Sequence, residues 1–133
     1  MIYMAKRNNV WCNLVTISKD LDISKLYLEQ IFTTLKKADL VTSVKGPQGG
    51  YKLSNNLENI TLFDILSVTE NNLFNNESNI SLVKCPEVSM VIANDVVNFI
   101  DEALKNSLIK ITLKQLVKNT ENYANDISFV YYI

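Results

Sequence analysis

Two runs of apolar residues at helical spacing occupy the first third of the chain. The first covers residues 14–21, where apolar residues recur at i, i+3 and i+7 behind a capping Asn13. The second covers about residues 25–38 and has Ser24 as its capping residue. The apolar positions of the two runs are Leu14, Ile17 and Leu21, followed by Leu28, Ile31, Phe32 and Leu35. With Asp22 as the turn residue between them, the two runs predict a helix-turn-helix.

Behind the second helix the pattern changes to two short stretches typical of strands. Residues 41–44 (Val-Thr-Ser-Val) and 51–53 (Tyr-Lys-Leu) favour β structure. Residues 45–50, which lie between them, contain all three glycines and one of the two prolines of the chain, as a tight turn requires. A hairpin directly behind a helix-turn-helix is a wing, so residues 12–54 predict a winged helix-turn-helix.

Short elements flank this unit on both sides. Residues 1–7 are apolar enough to form the last part of a helix, which ends at the two asparagines that follow. Thr61 begins a further helix over residues 62–70, with Asp64 as its capping-box partner. Residues 71–81 contain five asparagines and predict a loop.

A long helix is predicted over about residues 87–109, with Pro86 suited to its first turn. Its apolar positions at helical spacing are Val88, Val91, Ile92, Val96, Phe99, Ile100, Ala103 and Leu104. A chain of this size has little core to cover so wide a stripe, so a homodimer interface is favoured over burial within the chain. Thr112 starts a last short helix. The apolar, β-prone end at residues 127–133 can add an edge strand, dock on the partner or stay loose.

These elements define a mainly α fold with a small β-hairpin wing and a long dimerisation helix. We expect a winged helix-turn-helix domain at residues 1–70, a loop at 71–86, the dimerisation helix and short C-terminal helix at 87–117, and a tail at 118–133. Among the 133 residues, 47% are hydrophobic and 20% charged, as in soluble globular proteins. The chain has no apolar run for a membrane span, and its two cysteines match no disulfide framework, so a cytoplasmic location is expected.

The net charge of −1 conceals an asymmetry between two parts of the chain. Residues 1–54 carry eight basic and four acidic side chains, whereas residues 55–133 carry five basic and ten acidic ones. The charge that matters for nucleic-acid binding is that of the part that would touch the phosphates. The negative net charge of the whole chain therefore does not argue against DNA binding. Chance segregation in a short chain is the alternative explanation.

A recognition helix enters the major groove with its N-terminal residues toward the base edges. The candidates are Lys25, Tyr27, Glu29 and Gln30, with Thr33 one turn further. Glu29 can accept from the cytosine amino group, and Gln30 can pair with adenine. Lys25 and Tyr27 suit phosphate oxygens. Glu29 can equally be a solvated acid or the intrahelical partner of Lys25, and spacing alone does not decide between these roles.

The wing supplies a second set of candidates. Lys45 at its base can enter the minor groove, where narrow A·T segments have the strongest negative potential. Gly46 and the two later glycines allow close approach of the backbone. Any hairpin turn needs glycines, but the position of this one directly behind a helix-turn-helix favours DNA contact.

The chain resembles the Rrf-two family of bacterial winged-helix regulators over residues 14–66. The motifs that carry the resemblance are Tyr-Leu-Glu-Gln at 27–30, Leu-Lys-Lys-Ala-Asp-Leu-Val at 35–41, Gly-Pro-Gln-Gly-Gly-Tyr at 46–51 and Ile-Thr-Leu-Phe-Asp-Ile at 60–65. The resemblance implies a homodimeric repressor or activator of transcription. It also implies that Glu29 and Gln30 form the base-reading pair. In the wing, it places Lys45 and Pro47 in the minor groove, with Gln48 beside them.

The chain departs from this family in two ways. Family members begin with about a dozen further residues, so we expect either that the given start is late or that the first helix is shortened. Cluster-binding members hold iron with three cysteines and a fourth ligand, whereas this chain has no histidine and only Cys85 in that region. We therefore expect no metal and no cofactor. Cys85 precedes a helix and follows Lys84, which favours a reactive thiolate and a redox sensor, although a small apolar residue at a helix entry explains it as well.

Other function classes fit the sequence less well. The absence of histidine, of a nucleophile elbow and of a phosphate loop argues against an enzyme, so no catalytic residue is expected. A winged helix that docks on proteins without reading DNA is the stronger rival. A protein co-regulator that docks on the dimer is a further candidate partner beside double-stranded DNA.

Overall fold

The computed structural model describes residues 1–8, 10–46, 49–70, 73 and 85–130, without the side chains of residues 125–130. The chain begins with α1 (Ile2–Lys6), α2 (Leu14–Leu21) and α3 (Lys25–Lys37). The Asn13 side chain caps α2 by accepting from the Val15 N–H at 2.8 Å. The predicted helix-turn-helix is therefore present with the predicted limits.

The turn between α2 and α3 depends on one residue in a left-handed conformation. Asp22 has φ 52°, which a short polar side chain tolerates, and its N–H bonds back to the Ser18 carbonyl. The Ser18 hydroxyl donates to the Ile23 carbonyl at 2.7 Å and closes the same turn. Ser24 lies at the N-cap position of α3, but its side chain makes no capping hydrogen bond, so that part of the prediction was wrong.

The predicted wing is an antiparallel hairpin of β1 (Val41–Val44) and β2 (Gly50–Leu53). Its register pairs Val41 with Leu53 and Val44 with Gly50. On the other side of β2, Tyr51 exchanges two backbone hydrogen bonds with Cys12, at 2.8 and 2.9 Å. The segment before α2 thus holds the wing against the helix-turn-helix.

The second part of the chain is helical. It contains α4 (Leu62–Thr69), α5 (Pro86–Val91), a π-helical segment (Ile92–Val97), α6 (Asn98–Leu108) and α7 (Leu113–Val130). The Thr61–Asp64 capping box at the start of α4 is formed as predicted. The helical segments at residues 86–108 follow each other directly and are called the long helix below. In the described ranges, no helix combines the length and apolarity that crossing a membrane requires.

Two features of this part differ from the expectation. The long helix contains six π-helical residues, which the apolar spacing did not indicate. The last helix does not stop near residue 117 but continues to Val130, so residues 118–130 are helical and 127–130 form no edge strand. The loop predicted at 71–81, apart from residue 73, and residues 131–133 lie outside the described residues.

One hydrophobic core joins the two parts. It includes Met4, Val41, Leu53, Ile60 and Leu113, each at most 1% exposed. The starts of α4 and α7 are tied directly, because the Leu113 N–H donates to the Ile60 carbonyl and the Leu62 N–H donates to the Ile111 carbonyl, both at 2.8 Å. The recognition helix and the starts of α4 and α7 therefore belong to one packed unit.

Candidate nucleic-acid interface

A cleft of about 480 Å³ with a mixed polar and apolar lining separates α3 from the wing. Glu29, Thr33 and Lys36 form its helix wall, while Ser43 and Lys45 belong to the wing wall. These three helix residues recur at i, i+4 and i+7, so they share one flank of α3. The structure thus brings together Glu29, Thr33 and Lys45, three of the residues that the sequence nominated from separate segments.

The remaining candidates on α3 lie on its exposed first turns. Lys25, Tyr27 and Gln30 are all solvent-exposed. Lys25 and Glu29 form an ion pair of 3.3 Å between Nζ and Oε1, with about half of each side chain exposed. The intrahelical pairing that the sequence left open therefore exists in the free protein, and an exposed pair of this kind contributes only about 0.3–0.5 kcal/mol.

The wing places its base next to the recognition helix. Lys45 is exposed, and Gly46 has φ 126°, a backbone conformation that other residues rarely adopt. The Gly49 N–H donates to the Gly46 carbonyl at 2.9 Å and closes the turn. Pro47 and Gln48, the other two wing candidates, lie outside the described residues.

Contacts below the cleft fix the angle between the wing and α3. The rings of Phe32 and Tyr51 meet edge to face with centroids 4.8 Å apart. Gly50 permits the close pairing of β2 with the segment before α2, since a Cβ at this position would lie 2.5 Å from the Cys12 carbonyl oxygen. The two walls of the cleft are held by packing and backbone pairing rather than by a flexible linker.

The two cysteines have different surroundings. Cys12 is buried at the foot of the wing, where its thiol contacts the Val10 carbonyl and burial raises its pKa above the ordinary value, an effect that Arg7 opposes. Cys85 is exposed at the N-cap position of α5. Only the Cys85 thiol is open to reagents in solution.

Sequence reasoning missed Lys36 and did not assign Asn13 to the interface. Lys36 lines the cleft, and its ammonium donates to the Ser43 hydroxyl at 2.6 Å across to the wing. Its position seven residues after Glu29 places it on the same helix flank, so the helical period itself could have found it. Asn13 lines the same cleft while capping α2.

Comparisons with known proteins place these features in one family. A family model described as "Rrf2: Iron-dependent Transcriptional regulator" matches residues 1–119. The HTH-type transcriptional regulator IscR of Cereibacter sphaeroides is 45% identical over 65 residues, which is 49% of this chain and 42% of that protein. IscR of Klebsiella pneumoniae is 32% identical over 108 residues, 81% of this chain and 66% of that protein. The chain therefore spans less than two thirds of the length of either relative.

Solved structures agree with the sequence comparisons. CymR, the global cysteine regulator of B. subtilis, superposes with a TM-score of 0.65 at 31% identity, covering 89% of this chain and 87% of that one. IscR of T. potens gives 0.62 at 31% identity, covering 84% and 72%. These names describe transcriptional regulators and not enzymes. The match over residues 1–119 shows that this chain belongs to the Rrf2 family of transcriptional regulators, the family that its recognition-helix and wing motifs resemble.

Proposed function

We propose that the protein is a sequence-specific regulator that binds double-stranded DNA with α3 in the major groove and the wing on the adjacent minor groove. The observation that carries this proposal is the cleft in which Glu29, Thr33 and Lys36 on the helix face Lys45 on the wing. A rigid helix beside a basic hairpin can contact base edges and both flanking backbones at once.

The side chains of the cleft divide into two chemical roles. Glu29 can accept from a cytosine amino group once it leaves its weak pair with Lys25, and Gln30 can pair with adenine. Lys25, Lys36 and Lys45 are cations that suit phosphates or the minor groove. Thr33 already donates its hydroxyl to the Glu29 carbonyl at 2.7 Å, so it offers DNA an acceptor and a methyl group.

We propose that two copies associate through the long helix. Within the single chain, Val91, Ile92, Phe99 and Ile100 are 51–70% exposed on this helix. A row of large apolar side chains of this extent favours a protein interface over contact with water. A two-fold dimer would present two recognition helices to half-sites about 34 Å apart.

The matching family is described as iron-dependent, but the side chains that hold iron in clusters are scarce in this chain. The described residues include no group of three or more His, Cys, Asp or Glu side chains that could hold a metal. The sequence has no histidine, and Cys85 is the only cysteine beyond residue 12. Because iron–sulfur clusters are held by cysteine thiolates, we propose that this chain regulates without a cluster of its own.

The salt dependence of DNA binding tests the proposed function. We expect log affinity to fall linearly with log salt, with a slope of about −0.9 per phosphate contact. Lys36→Ala should make this slope shallower by about one contact, whereas Lys118→Ala removes another exposed lysine, on α7, and should leave it unchanged. A wild-type protein that shows no salt-dependent binding to any duplex would instead support the rival function, a winged helix that docks on a protein.

A further inference from the structure

Leu26 is an exposed leucine in the first turn of the recognition helix. Its side chain is 67% exposed, while Leu28 two positions later is 6% exposed and belongs to the core. The apolar spacing leaves Leu26 outside the buried stripe, and Leu26 is not among the base-reading candidates named above.

The helical period places Leu26 opposite the core. At 3.6 residues per turn, the buried side of α3 is formed by Leu28, Ile31, Phe32 and Leu35. The residues on the opposite side are Leu26, Gln30, Thr33 and Lys37, spaced i, i+4, i+7 and i+11. Leu26 therefore starts the most outward row of the helix, next to the flank that carries Glu29.

A leucine in this row needs an apolar partner when the helix enters a groove. Phosphates and most base-edge atoms are polar, so a leucine placed among them would lose water without gaining a hydrogen bond. The major-groove edge of DNA offers one apolar group, the 5-methyl of thymine.

We infer that Leu26 is a specificity-determining residue that contacts a thymine 5-methyl group in the half-site read by Glu29 and Gln30. The inference rests on the proposed function and adds a thymine to the bases that the protein would contact. Leu26 contacts the methyl group through its own side chain, whereas Glu29 accepts a hydrogen bond from cytosine. The two residues should therefore respond to different chemical changes in the DNA.

The test removes the methyl group from the DNA rather than the leucine from the protein. A binding sequence is first selected from random duplexes with the wild-type protein, and each thymine of a half-site is then replaced in turn by deoxyuridine, which differs only by that methyl. At one position we expect wild-type affinity to fall about fourfold, the equivalent of burying one methyl group. Leu26→Ala should bind the thymine and deoxyuridine duplexes equally.

Three control variants separate this contact from a general weakening. In Glu29→Ala, replacing thymine by deoxyuridine at that position should still weaken binding, since this variant keeps Leu26. Leu26→Met, which retains an apolar side chain of similar volume, should keep most of the effect, and Leu26→Ser should lose it. Thermal unfolding of each variant should match the wild type, because the changed side chains are exposed.

The possible failures are distinguishable. If the wild type selects a sequence but no deoxyuridine substitution weakens binding, or if Leu26→Ala remains sensitive at the same position, the role of Leu26 is overturned and the proposed function stands. If no sequence is selected and no duplex is bound, the proposed function itself falls and the inference falls with it.

Discussion

Glu29 has two potential partners, one in its own helix and one in DNA. In the free protein its carboxylate lies 3.3 Å from the Lys25 ammonium, and both side chains are half exposed. A pair of this kind is weak enough for DNA to displace it. The ion pair therefore does not argue against base readout. The two roles are distinguished by whether a change of Glu29 alters base preference or alters affinity for all sequences.

We expect Glu29→Ala to reduce discrimination at one C·G base pair by about 1–3 kcal/mol while other positions keep their preference. The physical reason is that the cytosine amino group loses the carboxylate that would accept its hydrogen bond. Competition binding against single-base variants of the selected site measures this. Lys25→Ala is the matched control, because it breaks the same ion pair without removing the acceptor. A uniform loss of affinity for all sequences with Glu29→Ala would exclude base readout.

The two thiols should react at very different rates in the reduced protein. Cys85 is exposed, whereas Cys12 is 5% exposed and burial raises the pKa of its thiol, which lowers its thiolate fraction. We expect an alkylating reagent followed by mass spectrometry to label Cys85 first and Cys12 only when denaturant opens the fold. Equal labelling rates in native buffer would contradict this assignment.

A functional role for Cys85 requires a further result. If peroxide lowers the DNA affinity of the wild type but not of Cys85→Ser, the thiol acts as a sensor. Unchanged affinity in both proteins would reject redox sensing and leave Cys85 as a small residue at a helix entry.

At the scale of elements, the sequence predicted best those features that local chemistry controls. The Asn13 cap, the Thr61–Asp64 capping box and the glycine turn of the wing follow from hydrogen bonding and backbone freedom within a few residues. The π-helical segment and the extension of α7 to Val130 were missed. No glycine or proline marks either feature, so the sequence carries no local signal of it.

Gly50 is a position where the wing depends directly on the absence of a side chain. A Cβ there would lie 2.5 Å from the Cys12 carbonyl oxygen and 2.8 Å from its carbon, both backbone atoms that cannot move without breaking the pairing with Tyr51. We expect Gly50→Ala to lower the free energy of unfolding by about 1–3 kcal/mol. Chemical denaturation measures this, with Asn55→Ala as an exposed control expected to stay within about 0.5 kcal/mol. Wild-type stability in Gly50→Ala would show that the wing does not need this close approach.

At the scale of the whole molecule, the sequence located the candidate interface but not its shape. Motif position and helical spacing nominated Glu29, Thr33 and Lys45 separately. Their assembly around one cleft, together with Lys36, requires the Phe32–Tyr51 contact and the pairing of Cys12 with Tyr51. Such contacts join residues up to 39 positions apart in the chain, and a single sequence carries no direct signal of them.

The long helix carries a row of exposed apolar side chains and offers the sharpest test of assembly. Phe99 is 70% exposed and Ile100 is 56% exposed in the single chain, so a lysine in this stripe would place a charge in the proposed interface. We expect the wild type to sediment as a dimer and Phe99→Lys as a monomer with unchanged helix content. Asn98→Lys adds the same charge at a neighbouring exposed polar position and should remain dimeric.

DNA binding should report the same change in assembly. A dimer gains affinity from holding two half-sites at once, so Phe99→Lys should bind a full site only about as tightly as a half-site, while Asn98→Lys keeps the wild-type advantage for the full site. Because α3 and the cleft are untouched, affinity for a single half-site should be equal in all three proteins. A monomeric wild type would overturn the proposed dimer. A Phe99→Lys variant that remains dimeric would move the interface to another surface and leave the exposed stripe without this explanation.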